Sequence, residues 1–253
     1  MARITTSTFA LLVLNLWTLC CNAQYRVWRA DTRAPIDMEA SDRFAPRGAS
    51  MILQIMPNLS LWNHVHGALT GGSRMDDGYV STTNSQETAI AFLRTFHNGN
   101  GYIYEIAATA QFIDVAATLG RYNPYPEERE FAALGGFQWD QVVRHTRYVN
   151  GVPVEPAQEN NSYNDDVYNH SQPTMGEPEL AGFPETHEAW GLHPWNAFAL
   201  GGPNCAGGRK VRSLENRAGG SIYHDGRCHP INSAYKAANL WKAKVCDQQK
   251  KCG

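Results

Sequence analysis

The stretch PEEREFAALGG, residues 126–136, carries two glutamates separated by a single residue, Glu128 and Glu130. If this stretch is a β-strand, residues two apart point to the same face, and both carboxylates enter one cleft. Neighbouring carboxylates repel each other, which raises the pKa of one of them and makes it a candidate general base. The same pattern is also typical of a solvated strand face, so the stretch acquires a function only from the sequence around it.

Short strands and few helices are predicted on both sides of this stretch. Strands are predicted from aromatic and β-branched residues near turn signals, at 25–29, 78–83, 102–106 and 139–148, and the turn signal Asp76-Asp77-Gly78 opens the second of them. A helix capped by Ser85 is predicted from the helical spacing of Ala89, Phe92, Leu93 and Phe96. Residues 151–179 are rich in Asn, Asp, Pro and Ser, which indicates a long irregular surface segment. Without internal repeats or a regular strand–helix alternation, the pattern favours an α+β fold.

The first 23 residues have the features of a secretory signal peptide. Arg3 provides a positive charge, an apolar stretch runs from residue 9 to residue 19, and small residues at 21–23 suit cleavage. No later apolar stretch approaches the roughly 20 residues that a membrane-spanning helix needs. The formal net charge is −2, and loss of Arg3 makes it −3, which argues against a broad nucleic-acid-binding surface. We therefore expect an exported protein that begins at residue 24.

The cysteines of the expected mature chain all lie in the last fifth of the full sequence. Six cysteines are present, and the first two fall within the expected signal peptide, which leaves Cys205, Cys228, Cys246 and Cys252. An even number of cysteines in an exported protein indicates two disulfides. A zinc site is the alternative, although the spacings do not resemble those of a metal knuckle.

Several blocks of sequence, taken in order and with their spacing, resemble the catalytic chain of cholera toxin and the heat-labile enterotoxins. The blocks are YRVWRADTRAP at 25–35, APRG at 45–48, DDGYVSTT at 76–83, PEEREFAALGG at 126–136, LAGFPETHEAW at 180–190 and HPW at 193–195. The resemblance runs from Tyr25 to about Cys205. It implies an ADP-ribosyltransferase fold: short mixed or antiparallel strands in two small sheets, with few helices, around a cleft for NAD. It also implies a C-terminal helix tethered by a disulfide.

The resemblance assigns chemistry to the two glutamates. Glu130 matches the family glutamate that stabilises the cation-like ribose formed when the nicotinamide–ribose bond breaks, as in glycoside hydrolysis. Glu128 matches the glutamate that positions and deprotonates the incoming arginine, whose guanidinium is protonated at physiological pH. Because other branches that modify asparagine, cysteine or guanine carry glutamine here, Glu128 points to arginine as the acceptor.

Four further residues are placed at the NAD site by the same matches. Arg29 matches the arginine that shapes the NAD pocket, the alternative being a structural ion pair. Ser81 matches the strand serine that helps to hold NAD and the catalytic glutamate, and otherwise it is structural. His64 matches a histidine that borders the site, or it is a core histidine with both nitrogens satisfied. Asp31, like Arg47, is expected to build the cleft.

The C-terminal part departs from the family pattern. We expect a catalytic domain at 24–204 and a basic loop at 205–230, which a Cys205–Cys228 disulfide bridges. A short linker helix is expected at 231–253, with Ala234, Ala238, Trp241 and Val245 on one face. As in the family, proteolytic nicking of the loop and later reduction would free the catalytic fragment, the alternative being a solvated basic loop. The other two cysteines pair with each other or cross-link to a partner.

The resemblance as a whole implies a secreted toxin subunit that transfers ADP-ribose from NAD to an arginine of a host protein. It would act in the host cytosol after uptake, without a metal. The family's acceptor is a stimulatory G-protein α subunit, and its activator is an ADP-ribosylation-factor GTPase. The family's long helix, which threads a pentameric B-subunit ring, and its retrieval signal have no counterpart after residue 245, which argues against pentamer docking. The alternatives are a secreted NAD-binding decoy without turnover and a transferase with another acceptor such as DNA, which the charge and Glu128 disfavour.

Overall fold

A computed structural model describes residues 24–49, 57–67, 74–201 and 228–230. Residues 200–201 and 228–230 are described by their backbone alone. The predicted signal peptide, the predicted Cys205–Cys228 disulfide and the predicted terminal helix therefore lie outside the residues whose side chains are described.

The described chain contains twelve strands and five α-helices. The strands are β1 (Arg26–Asp31), β2 (Arg43–Phe44), β3 (Tyr79–Thr83), β4 (Gly101–Ala107), β5 (Phe112–Asp114), β6 (Glu130–Leu134), β7 (Phe137–Gln138), β8 (Val142–Val149), β9 (Val152–Pro153), β10 (Gln158–Glu159), β11 (Ala199–Gly201) and β12 (Cys228–Pro230). The helices are α1 (Pro35–Ser41), α2 (Leu61–Gly67), α3 (Gln86–Phe96), α4 (Val115–Leu119) and α5 (Asp165–Tyr168). Several short 3₁₀ turns connect them, among them Pro126–Glu128 and Trp139–Gln141. None of the described helices is long and apolar enough to cross a membrane.

Eight of these strands form one antiparallel sheet in the order β10-β8-β4-β1-β3-β6-β5, with β9 also paired to β8. Strand β1 pairs with β4 through six residues, but with β3 only through Trp28 and Thr83. The two predicted small sheets are thus joined into one by a single residue pair. Beyond that pair, β1 and β3 have no ladder between them. The Arg29 guanidinium instead donates from Nη1 to the Ser81 carbonyl at 2.8 Å.

Two buried clusters hold the halves of the sheet in place. One joins β1, β4 and β6 with the β2–β7 pair, and includes Val27, Phe44, Tyr104, Ile106, Phe131 and Phe137. The other packs α2 and the segment after residue 178 against β3 and β6, and includes Leu61, Val65, Tyr79, Ala132, Leu180, Trp190 and Trp195. Since Leu61 and Val65 are anchored in this cluster, α2 is fixed against the sheet with His64 between them.

The helix predicted after Ser85 is confirmed as α3, and the Ser85 hydroxyl accepts a hydrogen bond from the Thr88 amide at 3.2 Å. The strand predicted at 139–148 begins later, at Val142. Residues 139–141 form a 3₁₀ turn, in which the Gln141 side chain accepts from the Gln138 amide.

The segment at 151–179, predicted to be irregular, includes β9, β10 and α5. Its buried Asn160 donates to the carbonyls of Trp139 and Val142, which ties the segment to the sheet. That contact joins residues about twenty positions apart, so it cannot be read from local composition.

Candidate active site

A cleft of about 620 Å³ opens where β1 and β3 diverge. Its walls come from β1, β3, α3 and the turn that precedes β6. All seven residues that were predicted to form the site line it: Arg29, Asp31, Arg47, His64, Ser81, Glu128 and Glu130.

The two glutamates reach the cleft by a different route from the predicted one. They do not share a strand, because Glu128 ends the 3₁₀ turn and Glu130 begins β6. Between them Arg129 has a left-handed backbone with φ of 49°, which a non-glycine residue adopts rarely. The Thr83 hydroxyl donates to the Glu128 carbonyl at 2.7 Å, and the Asn84 amide donates to the Arg129 carbonyl at 3.2 Å. These two bonds from the end of β3 fix the turn.

Glu130 is held by a buried chain of hydrogen bonds that runs through His64 to Asp77. The His64 Nε2 lies 2.9 Å from the Glu130 Oε1, and its Nδ1 lies 2.7 Å from the Asp77 Oδ2. All three side chains are buried, and the Ser81 hydroxyl lies 3.2 Å from Nε2. Since carboxylates only accept hydrogen bonds, both ring nitrogens must donate, which requires the protonated imidazolium.

The ionisation of His64 and Glu130, within this chain of hydrogen bonds, follows from charge and burial together. Burial by itself would lower the pKa of His64, but the charge of Glu130 and the hydrogen bonds to Asp77 and Glu130 outweigh it and hold that pKa well above its usual range. Burial by itself would raise the pKa of Glu130, but the charge and hydrogen bond of His64 and the hydroxyl of Ser81 lower it. Glu130 is therefore a fixed negative charge at neutral pH.

Glu128 has the opposite electrostatic environment. Its burial raises its pKa to about 7, with additional contributions from the charges of Glu130 and Glu127. Within the described residues, no hydrogen bond or ion pair holds its carboxylate. A half-buried carboxylate that titrates near neutral pH is suited to accepting a proton.

Arg29 belongs to an ion-pair group at the end of β1. Its Nε donates to the Asp31 Oδ2 at 3.0 Å, while Arg33 donates to both oxygens of the same carboxylate at 2.9 and 2.7 Å. Asp31 is buried, which would raise its pKa, but the hydrogen bonds and charges of the two arginines hold that pKa well below its usual range. Two guanidiniums and one carboxylate leave one net positive charge on the cleft wall.

Asp77 and Arg33 also belong to the site and were not predicted from the sequence, although they lie in the blocks at 76–83 and 25–35. Asp77 belongs to the turn signal before β3, and its Oδ1 accepts a hydrogen bond from the Tyr79 amide at 3.0 Å. Gly48, in the block APRG, packs against the same turn. Its amide donates to the Asp77 carbonyl at 2.7 Å, and a Cβ on Gly48 would lie 2.4 Å from the Asp76 carbonyl oxygen. Asp77 was visible as a residue of the DDG turn, but its partner across the cleft was not.

Comparison with known proteins agrees with this geometry. The family described as the heat-labile enterotoxin alpha chain matches residues 4–219. The chain belongs to this enterotoxin family.

Several known proteins are similar to most of this chain. The cholera enterotoxin A subunit of Vibrio cholerae serotype O1 (strain ATCC 39315 / El Tor Inaba N16961) is 37% identical over 186 residues, which are 71% of each chain. The NAD(+)–arginine ADP-ribosyltransferase Chelt of Vibrio cholerae is 37% identical over 191 residues, which are 73% of this chain. This chain covers about a third of the length of Chelt, 31%. A solved heat-labile enterotoxin double mutant superposes with a TM-score of 0.61 at 29% identity, covering 88% of this chain and 93% of its own.

Among the described residues, no group of three or more His, Cys, Asp or Glu side chains is placed to hold a metal ion. What the cleft does offer is a fixed carboxylate, a carboxylate that titrates near pH 7 and a cationic wall.

Proposed function

We propose that this protein transfers ADP-ribose from NAD to an arginine of a host protein and releases nicotinamide. The observation that carries the proposal is the division between the two carboxylates of one cleft: Glu130 is ionised and held in place, and Glu128 titrates at about 7. Membership of the enterotoxin family supports it, as does the name of Chelt, an NAD(+)–arginine ADP-ribosyltransferase.

The first step breaks the bond between nicotinamide and the ribose C1′. Nicotinamide leaves with the bonding electron pair and becomes neutral, so this step needs no proton. Positive charge develops on the ribose, and the ionised Glu130 carboxylate stabilises it, as the carboxylates of glycoside hydrolases do. Arg29 and Arg33 are suited to holding the pyrophosphate, since a guanidinium makes bidentate contacts with such oxygens.

The second step forms a bond between C1′ and a guanidinium nitrogen of the acceptor arginine. An arginine side chain stays protonated in water, so a nitrogen lone pair becomes available only when a base removes a proton. Glu128 takes that proton, and the substituted guanidine in the product carries the positive charge that the ribose had. If water replaces arginine, the same first step leads to hydrolysis of NAD.

We assign Asp77 a positioning role in this chemistry. Neutral His64 would keep its single proton on one nitrogen only. With that proton on Nδ1 and bonded to Asp77, a lone pair on Nε2 would face the Glu130 carboxylate at 2.9 Å. The charge of Asp77 stabilises the imidazolium and thereby keeps an N–H directed at Glu130.

Several features outside the site belong to the same proposal. We propose that residues 24–204 are the catalytic unit of an exported toxin that acts in the host cytosol. A G-protein α subunit is the proposed acceptor, and an ADP-ribosylation-factor GTPase is the proposed activator. The antiparallel pairing of Gly201 with Cys228 brings these two residues side by side, which supports a bridged, nicked loop between them that includes Cys205.

The proposal is tested with the purified, reduced protein, labelled NAD and agmatine as a small guanidino acceptor. We expect label on agmatine, together with slower release of ADP-ribose to water. A protein that binds NAD but neither transfers nor hydrolyses it would be the decoy instead. Cleavage of NAD without transfer to agmatine or to protein arginine, but with transfer to another nucleophile, would support a different acceptor.

A further inference from the structure

The cleft continues beyond the carboxylates and arginines along one side of α3. Thr88, Phe92 and Phe96 recur every four residues, so they lie on the same side of the helix, and all three line the cleft. The adjacent positions Ala89 and Leu93 are buried in the core beneath them. The side of α3 that faces the cleft thus ends in two aromatic rings.

The two rings differ in how the protein uses them. Phe92 is half-buried and packs against the core cluster that contains Leu93. The Phe96 ring lies 4.5 Å from the Phe92 ring, centroid to centroid, at an interplanar angle of 43°, and Phe96 is 46% exposed. Phe96 is therefore an aromatic surface that the protein supports from one side and leaves open to the cleft.

The position of this pair along the cleft is set by α3. The helix begins shortly after Thr83, whose hydroxyl holds the Glu128 carbonyl, and its eleven residues span about 16 Å. Gly101 lies between the second half of this helix and the end of β1. A Cβ on Gly101 would lie 2.7 Å from the Asp31 carbonyl oxygen and 3.0 Å from the Leu93 Cδ1, so Leu93 is close to the end of β1. The ion-pair group of Arg29, Asp31 and Arg33 therefore lies along the same stretch of the cleft as Phe96.

The groups along the cleft suit the parts of NAD. The two carboxylates lie near the start of α3 and suit the nicotinamide riboside. The cationic ion-pair group and the aromatic rings lie along its second half and suit the pyrophosphate and the adenine. A purine presents a flat π face that stacks on aromatic side chains whatever its substituents.

We propose that Phe96, supported by Phe92, is the surface on which the adenine ring of NAD stacks. This inference rests on the proposed function, because it assigns the second half of the same dinucleotide. It adds a binding subsite for a purine nucleotide that is separate from the carboxylates that carry out the chemistry.

The test uses adenosine monophosphate as a probe of the adenine end, with binding measured by titration calorimetry on the full chain. Phe96→Ala is expected to weaken the binding of this probe by about 5- to 150-fold, the range for loss of one stacked base. The same variant should raise the KM for NAD hydrolysis and leave kcat nearly unchanged, because the lost contact is equal in the ground state and the transition state. Inhibition by nicotinamide, which binds at the other end, should not change.

Matched variants separate stacking from general damage. Phe96→Tyr keeps the π face and should bind the probe like the wild type. Phe96→Leu keeps apolar bulk without a π face and should lose probe binding as Phe96→Ala does. Because it keeps that bulk, it still tests the role of the ring if the alanine variant folds poorly. Met175→Ala removes a side chain that is 60% exposed and does not line the cleft, and it should leave probe binding unchanged.

The inference is overturned if the wild type does not bind the probe, or if Phe96→Ala and Phe96→Leu both bind it as tightly as the wild type. If the wild type cleaves NAD and both variants cleave it with an unchanged KM, the adenine subsite is overturned and the proposed function stands. Probe binding that depends on Phe96 in a protein that cleaves no NAD would uphold the subsite and overturn the proposed function.

Discussion

Glu130 and Glu128 lie two residues apart and line the same cleft, yet the protein treats them in opposite ways. Glu130 begins β6, is buried, and accepts a hydrogen bond from a histidine that a second buried acid supports. Glu128 ends a turn and is only half-buried, and its pKa is raised to about 7. One residue type thus supplies both a fixed charge and a proton acceptor, because burial and neighbouring charges differ between the two positions.

The largest expected effect comes from removing the fixed charge. Glu130→Gln keeps the shape and can still accept from His64, but it cannot stabilise a cationic ribose. NAD hydrolysis and transfer to agmatine should both fall by on the order of 10³-fold, as for loss of a main transition-state electrostatic contact. Initial rates with labelled NAD measure both. Retention of either activity near the wild-type level would contradict the role of Glu130.

Glu128→Gln should separate the two activities. Loss of the base is expected to lower transfer to agmatine by on the order of 10²-fold, because the acceptor then keeps its proton. Hydrolysis should be affected much less, because water does not start as a cation. Glu127→Gln, at the exposed neighbouring position, is the matched control. It removes a charge that raises the pKa of Glu128, so Glu128 is more fully ionised at neutral pH and both activities should be retained. An equal loss of hydrolysis and transfer in Glu128→Gln would contradict the division of roles.

Asp77→Asn tests whether the support behind His64 is electrostatic. Asparagine can still accept the proton on Nδ1, but the charge that raises the pKa of His64 is lost. That pKa should fall, so His64 should lose its proton at a lower pH and the alkaline limb of the hydrolysis profile should move to lower pH. At neutral pH we expect a reduction of about tenfold, which corresponds to about 1.4 kcal/mol.

A purely structural role for Asp77 would lower activity equally at every pH. The charged groups that face His64 are Asp77, Glu130 and, more weakly, Glu128, whose pKa the charge of His64 lowers. Asp76→Asn is the matched control, because the side chain of Asp76 pairs with the partly exposed Arg74 outside the cleft. A shifted pH profile in the Asp76 variant, or an unshifted one in the Asp77 variant, would argue against the positioning role.

The smallest expected effect near neutral pH is a pH dependence of product partition in the wild type. Glu128 must be ionised to accept a proton, and its pKa of about 7 means that it becomes protonated as the pH falls through that value. The ratio of transfer to hydrolysis should therefore fall by up to about tenfold per pH unit below 7 and level off above it. Assays of both products across the pH range measure this ratio. A ratio independent of pH would show that Glu128 is not the base.

Local patterns predicted the parts of the fold that local interactions determine. The Ser85 cap and the helical spacing after it predicted α3, and the turn signal at residues 76–78 predicted the start of β3. Local patterns were wrong where a distant bond sets the backbone. The strand alternation of Glu128 and Glu130 is interrupted at Arg129, where the end of β3, some 45 residues earlier, holds the turn.

The sequence by itself determined the family of this protein and the chemical types at its site: two glutamates, a serine, a histidine, an arginine and an aspartate in ordered blocks. Only the tertiary structure decided which glutamate is ionised, that Asp77 supports His64, and where two aromatic rings meet the cleft. The reason is physical. Ionisation depends on burial and on nearby charges, and the charges that act on Glu130 come from residues that include Arg29, 101 positions away along the chain.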